Sequence, residues 1–150
     1  MKKSDKRFVV VIDIGSNSIK MSMARLNHDT KIILEDKLPL RLLEKNERKI
    51  SRKNIDRLNR SMKRFMSRTQ RYNPIYRVLA TSAMRRATNK KQVIAMLRKK
   101  WGVRVQVISG LTEAKYVVHA VESRFDLRRG KYCIADIGGG RIGLIPMGDG

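Results

Sequence analysis

The sequence is poor in cysteine, proline and aromatic residues, and each shortage excludes a class of protein. A single cysteine permits no disulfide within the chain, which favours a reducing, cytoplasmic location. Because Cys133 lies in an apolar segment, we expect it to pack as a small hydrophobic side chain. Three prolines and the lack of a low-complexity tract argue against a disordered linker. Three Phe, one Trp and four Tyr residues leave few platforms on which nucleic-acid bases could stack.

Long hydrophobic runs are also missing. The apolar run at residues 9–12 ends at Asp13, so it is too short for a signal peptide or a membrane span. The sequence therefore predicts a cytoplasmic protein without membrane insertion.

Acidic residues are scarce: 13 Asp and Glu stand against 35 Lys and Arg, for a net charge of +22. Such an excess indicates a polyanionic partner, namely polyphosphate, a nucleotide, nucleic acid or an acidic membrane surface. The basic residues are spread along the chain, which predicts a basic surface and not a basic tail. The alternative is a proteome that is basic throughout, whose protein surfaces follow that bias.

An Asp-Ile-Gly sequence occurs twice, each time after an apolar run that favours a strand. The first run has no polar alternation, so we predict a strand buried on both faces that ends at Asp13. Small residues follow that can offer backbone N–H and hydroxyl groups to an anion: Gly15, Ser16, Asn17 and Ser18. The second copy contains Asp136, Gly138, Gly139 and Gly140. Facing each other, the two loops could hold a phosphate chain from both sides. The alternative is two ordinary turns.

The remaining pattern predicts an α/β fold with a mixed sheet and helices on both faces. Residues 8–40 have the alternation of a three-stranded antiparallel meander. Ser51 and Asn89 are expected to cap two helices. The helices are predicted at 51–70, 90–101 and 111–122, and further strands at 75–80 and 103–107. Strand–helix–strand crossovers imply that these later strands pair in parallel with the meander.

Four motifs in this order resemble the exopolyphosphatase / guanosine pentaphosphate phosphohydrolase family: residues 12–18, residues 80–87, residues 108–110 followed by Glu113, and residues 136–140. The resemblance covers nearly the whole chain. It implies the actin-like, ribonuclease H-like ATPase fold, with a substrate cleft between two such domains. Residues 1–124 would then form the N-terminal domain, and residues 125–150 the connection and first hairpin of a truncated second domain.

The resemblance also implies roles for individual residues. Asp13 would lie near a metal, Mg²⁺ or another divalent cation, with the 15–18 loop as the first phosphate site. Asp136 would serve the metal on the opposite side, where Gly138, Gly139 and Gly140 form the second phosphate site. Arg85 would reach the phosphates, and Glu113 would orient or deprotonate the attacking water.

The sequence departs from the family pattern in several places. Arg141 and Gly143 replace a hydroxyl residue and a Glu after the triple glycine, while Thr112 and Arg86 stand where acidic residues are common. The chain stops at Gly150, which suggests a fragment, a decayed copy, or a short form whose cleft a second chain completes. We therefore expect the chain alone to bind phosphate chains but to hydrolyse them slowly or not at all.

These observations leave three functions open. The first is metal-assisted hydrolysis of the terminal phosphates of polyphosphate or of guanosine penta- or tetraphosphate. The alternative is a non-catalytic, basic module that binds polyphosphate or nucleic acid and retains the fold. A dedicated nucleic-acid-binding protein is the third, and the shortage of aromatic residues weakens it.

Overall fold

The computed structural model describes residues 7–26, 30–125, 132–137 and 142–147. In these residues the chain alternates between strands and helices after three initial strands. A 3₁₀ turn at Gln70–Tyr72 follows the first helix. The strands are β1 (Arg7–Ile14), β2 (Ser18–Leu26), β3 (Lys31–Pro39), β4 (Ile75–Ala80), β5 (Val105–Val107), β6 (Tyr132–Ile137) and β7 (Ile142–Met147), and the helices are α1 (Arg52–Thr69), α2 (Ser82–Arg86), α3 (Lys90–Trp101) and α4 (Gly110–Glu122).

A five-stranded mixed sheet, in the order β3-β2-β1-β4-β5, forms the centre of the fold. β1, β2 and β3 pair antiparallel, so the predicted meander is confirmed. β4 pairs in parallel with β1, and β5 in parallel with β4, as the crossover argument requires. The register places Asp13 opposite Lys20 on β2 and Leu79 on β4. The predicted α/β fold class, with a mixed sheet and an antiparallel start, is therefore confirmed.

Helix α1 forms where its cap and apolar stripe predict it. The Ser51 hydroxyl accepts a hydrogen bond from the backbone N–H of Asn54, which satisfies a donor that the helix cannot use itself. Leu58, Met62 and Phe65 point into the core and have no exposed surface. Their spacing places them on one helix face, so this face anchors α1 to the sheet.

Asn89 precedes α3 at the N-cap position, but its side chain makes no capping hydrogen bond. The prediction that Asn89 caps this helix is therefore wrong. Its amide pairs with the backbone of Ile50: the Ile50 N–H donates to Oδ1 at 3.0 Å, and Nδ2 donates to the Ile50 carbonyl at 3.0 Å. Ile50 is buried, so its backbone polar groups need partners within the protein. At its other end α3 terminates at Gly102, whose φ of +66° is the left-handed conformation expected there.

The prediction that β1 is buried on both faces is wrong. Val10, Ile12 and Ile14 are fully buried in one core with side chains of α1 and α3. On the other face Val11 is 39% exposed. There α4 lies near the carboxyl end of the strands, where Val117 lines a cleft together with Asp13. Helices thus lie on both faces of the sheet, as predicted, but among the described residues α4 covers its face far less than α1 and α3 cover theirs, and we call the α4 side the open face.

Two further differences concern short elements. The five-residue helix α2 was not predicted. Cys133 is exposed on β6, so the expectation that it packs as a core residue is wrong. β6 and β7 do pair antiparallel as the predicted hairpin, with Asp136 opposite Gly143.

The division into domains at residues 124 and 125 stays a prediction. Among the described residues, no helix is long and apolar enough to cross a membrane.

Candidate functional site

The carboxyl ends of the parallel strands β1, β4 and β5 open into a cleft of about 420 Å³. Open α/β sheets place ligands at this edge, because loops diverge there and leave a crevice. The segments that follow the strands continue the sheet pairing: the Thr81 N–H donates to the Ile14 carbonyl, and the Ile108 N–H to the Ala80 carbonyl. The cleft is lined by the predicted residues Asp13, Gly15, Ser16, Asn17, Ser18, Glu113 and Asp136, and among others by Lys20, Thr81, Ser82 and Tyr116.

The turn after β1 has a shape that requires glycine. The Gly15 N–H donates to the Ser18 carbonyl at 3.0 Å, which closes the turn. A Cβ at position 15 would lie 2.9 Å from that same carbonyl oxygen, closer than real Cβ contacts allow. The segment after β3 secures the loop from outside, since the Leu42 N–H donates to the Ser16 carbonyl and the Leu40 N–H to the Asn17 carbonyl. The loop is therefore held rigidly at the rim of the cleft.

Asp13 lies at the floor of this cleft in an electrostatically strained position. Its Oδ1 atom is buried and has no hydrogen-bond partner among the described residues. Burial raises the pKa of the Asp13 carboxyl above 3.8; Lys20 counteracts this shift and the negative charge of Glu113 adds to it. A buried carboxylate oxygen without a partner is a site that a cation would satisfy.

The donor set fits one mode of divalent-cation binding. Within the described residues, no group of three or more His, Cys, Asp or Glu side chains could hold a metal ion. Mg²⁺ commonly uses one or two carboxylates, with water and substrate phosphates as its other ligands. Asp13 and Asp136, which both line the cleft, match that mode and not an all-protein cage.

Glu113 is fixed by an ion pair at the start of α4. Ser109 caps this helix by accepting from the Thr112 N–H at 3.0 Å, so Glu113 lies in the first turn. The Arg85 Nη1 atom donates to Glu113 Oε2 at 3.0 Å and to the Ile108 carbonyl at 2.7 Å. Both side chains of the pair are about one quarter exposed (23% and 24%), so solvent screens them only in part. This pair orients the Glu113 carboxylate at the rim of the cleft.

The structure thus brings together most of the predicted site residues. Arg85 contacts Glu113 and is not among the residues that line the cleft. The role that the resemblance implies for Arg85, contact with phosphate, stays a prediction. Gly138, Gly139, Gly140 and Arg141 lie outside the described residues.

Sequence reasoning missed Lys20, a cation inside the cleft. Its position was available from the pattern: a tight turn between two antiparallel strands places Lys20 opposite Asp13. Ser82 was also missed, although it belongs to one of the four motifs. It lies in the cleft because α2 begins directly after β4.

Comparison with known proteins shows which family the chain resembles. A profile described as the Ppx/GppA phosphatase family matches residues 23–147. Exopolyphosphatase 1 of Mycobacterium leprae is 31% identical over 140 residues, covering 89% of this chain and 41% of that protein. Exopolyphosphatase 1 of Mycobacterium tuberculosis is 30% identical over 138 residues, covering 88% of this chain and 40% of that protein. The chain therefore spans less than half the length of these curated relatives.

Solved structures share the fold. An exopolyphosphatase from Cytophaga hutchinsonii superposes with a TM-score of 0.88 at 24% identity, over 93% of this chain and 46% of that one. The Aquifex aeolicus member of the Ppx/GppA protein family superposes with a TM-score of 0.79 at 24% identity, over 94% of this chain and 51% of that one.

Proposed function

The chain belongs to the Ppx/GppA phosphatase family, and we propose that it binds the end of an inorganic polyphosphate chain in the Asp13 cleft and contributes the groups that hydrolyse the terminal phosphate. One observation carries this proposal. The cleft brings three features to the same edge of the sheet: a buried carboxylate oxygen with no partner in the part of the chain that the structure describes, a glycine loop and an ion-paired glutamate.

The loop at residues 15–18 would hold the phosphate oxygens. The Ser16 and Ser18 hydroxyls and the exposed Asn17 amide can donate hydrogen bonds to phosphate oxygens, the only groups that a polyphosphate chain offers. Lys20 supplies a positive charge within the same cleft. The two curated relatives are both exopolyphosphatases, which favours inorganic polyphosphate as the substrate class. Guanosine penta- and tetraphosphate carry the same terminal group and are the natural competitors to test.

A divalent cation such as Mg²⁺ would be held by Asp13 and Asp136. When bound, it would neutralise negative charge on the phosphate oxygens. Asp13 is suited to this task because its buried oxygen has no protein donor among the described residues and its carboxylate is costly to keep charged.

Glu113 would act on water. As the oxygen of water bonds to the terminal phosphorus, the bridging P–O bond breaks and the shortened chain leaves with the bonding electrons. Glu113 accepts the proton that water loses, and inorganic phosphate is released. Arg85 would hold the Glu113 carboxylate in a fixed orientation, which makes Arg85 a positioning residue in this scheme.

The test is phosphate release from polyphosphate with Mg²⁺, together with an independent binding measurement. We expect Glu113→Gln to lower the rate by about 10² to 10⁴-fold while binding persists. Glu122→Gln makes the same chemical change in the exposed last turn of α4 and should leave the rate unchanged. Turnover that survives in Glu113→Gln would contradict the assigned role. Tight binding with no turnover in the parent chain would instead support the non-catalytic module.

A further inference from the structure

A second cleft, of about 530 Å³, lies beside the first and is dominated by arginine. Four guanidinium side chains line it, from Arg41, Arg57, Arg60 and Arg64, and we call it the arginine groove. Among the described residues, none that lines this groove is acidic or aromatic. Arg64 forms an ion pair with Asp36, which does not line the groove. In the described part of the chain, the other three arginines form no ion pair.

The sequence of α1 creates this concentration of charge. Arg57, Arg60 and Arg64 are spaced by three and four residues, so they share one face of the helix. Like charges at this spacing repel, typically by about 0.2 to 0.5 kcal/mol per pair. The backbone below them is fixed, since the buried Ser61 hydroxyl donates to the Arg57 carbonyl. A rigid helix face that carries mutually repelling cations is suited to bind an anion.

The groove begins where the phosphate loop of the first cleft ends. Pro39, which lines the groove, is paired with Ser18 in the sheet. The N–H groups of Leu40 and Arg41 both donate to the Asn17 carbonyl, at 2.8 and 3.3 Å. The two clefts therefore share a wall made of the 15–18 loop and the residues directly after β3.

We propose that the arginine groove binds the inner phosphates of the same polyphosphate chain whose end occupies the Asp13 cleft. The ligand would cross the shared wall near Asn17 and Pro39. The groove favours inorganic polyphosphate over RNA, because it offers guanidinium groups for phosphate oxygens but no aromatic side chain, among the described residues, for base stacking. This inference rests on the proposed function and gives the protein a preference for long chains.

The experiment compares tripolyphosphate, which has no more than three phosphates to place, with long-chain polyphosphate. The test variant is Arg57→Gln/Arg60→Gln, and the matched control is Arg98→Gln/Arg104→Gln, two exposed arginines near β5 at the other end of the sheet. Both variants lose two positive charges. We expect the test variant to lose about tenfold or more in affinity for the long chain, with unchanged affinity for tripolyphosphate. The slope of log affinity against log salt should fall by about 1.4, as for two lost phosphate contacts on a single strand.

Equal losses of affinity for long-chain polyphosphate in the two variants would contradict the proposed binding site, because the overall positive charge of the surface would then explain the binding. Loss of single-stranded RNA binding without loss of polyphosphate binding would overturn it in favour of a nucleic-acid surface. Since Arg57 is half-buried, Arg41→Gln/Arg60→Gln serves as a second test variant if the first unfolds. Gly15→Val separates the two proposals: if it leaves tripolyphosphate binding unchanged, the proposed function fails, whatever the long chain does.

Discussion

Two aspartates on opposite faces of one sheet show how differently the two faces are built. Asp36 on β3 is aligned with the buried Met21, on the face that α1 covers, and its carboxylate pairs with Arg64 and Arg68. Asp13 lies on the open face, and one of its oxygens has no partner within the described residues. Burial tends to raise the pKa of Asp36, but hydrogen bonds from the two arginines outweigh it and hold that pKa below 3.8. The pKa of Asp13 is raised, chiefly by burial.

The difference separates what stabilises the fold from what is available for chemistry. On the covered face the Asp36 carboxylate has two arginine partners, and apolar side chains pack against two helices. On the open face Asp13 lies at the floor of a cleft, and one oxygen of its carboxylate has no partner among the described residues. Local strain of this kind persists only where the rest of the structure supports it, and it is typical of functional sites.

The largest expected effect compares neighbouring residues of β1. Ile12 is fully buried, whereas Val11 is 39% exposed on the open face. Ile12→Ala should lower the free energy of unfolding by about 2 to 5 kcal/mol, because it leaves a cavity under α1 and α3. Val11→Ala should cost less than about 1 kcal/mol. Urea denaturation of both variants measures these changes in the free energy of unfolding. Equal losses would show that a partner covers the open face in solution.

Much of the covered face could be predicted from the sequence, since its signals are local. The cap at Ser51 and the stripe of Leu58, Met62 and Phe65 lie within one helix and specify its position and its buried side. The open face could not be predicted in this way. An apolar run such as residues 9–12 indicates a strand, but whether helices cover both faces depends on where α4 packs.

Contacts between distant residues were also beyond local reasoning. Asn89 is expected to cap a helix, yet its amide meets the backbone of Ile50, 39 positions away. Similarly, the resemblance drew attention to Arg85 and Glu113 separately, and their ion pair across 28 positions emerged only from the fold. The grouping of site residues at the carboxyl edge was predictable because parallel strand order fixes it.

The partners of Asp36 provide the next test. Asp36→Asn should lower the free energy of unfolding at pH 7 by about 1 to 2 kcal/mol. This value is at the low end for hydrogen bonds between charged groups, because the Arg64 and Arg68 side chains are 55% and 40% exposed and solvent screens them. Since the folded-state pKa is depressed, the stabilisation is present above pH 3.8 and is lost as the pH falls through the folded value. Asp56→Asn, which removes only an exposed pair with Arg52, is the control and should change little. Denaturation at neutral and acid pH would contradict the pairing if both variants behaved alike.

The smallest effect should have the opposite sign. Because the folded-state pKa of Asp13 is raised, ionising this carboxyl costs the folded protein stability; the cost is absent below pH 3.8 and complete above the folded value. Asp13→Asn should therefore raise the free energy of unfolding at pH 7, by at most about 1 kcal/mol, and this gain should disappear in acid. The same variant should lose the thermal stabilisation that Mg²⁺ with tripolyphosphate gives the parent chain, since a ligand that binds only the folded state stabilises it. Scanning calorimetry with and without these ligands measures both effects. A variant less stable than the parent at pH 7 would mean that Asp13 supports the fold, and the contrast between the two faces would no longer hold.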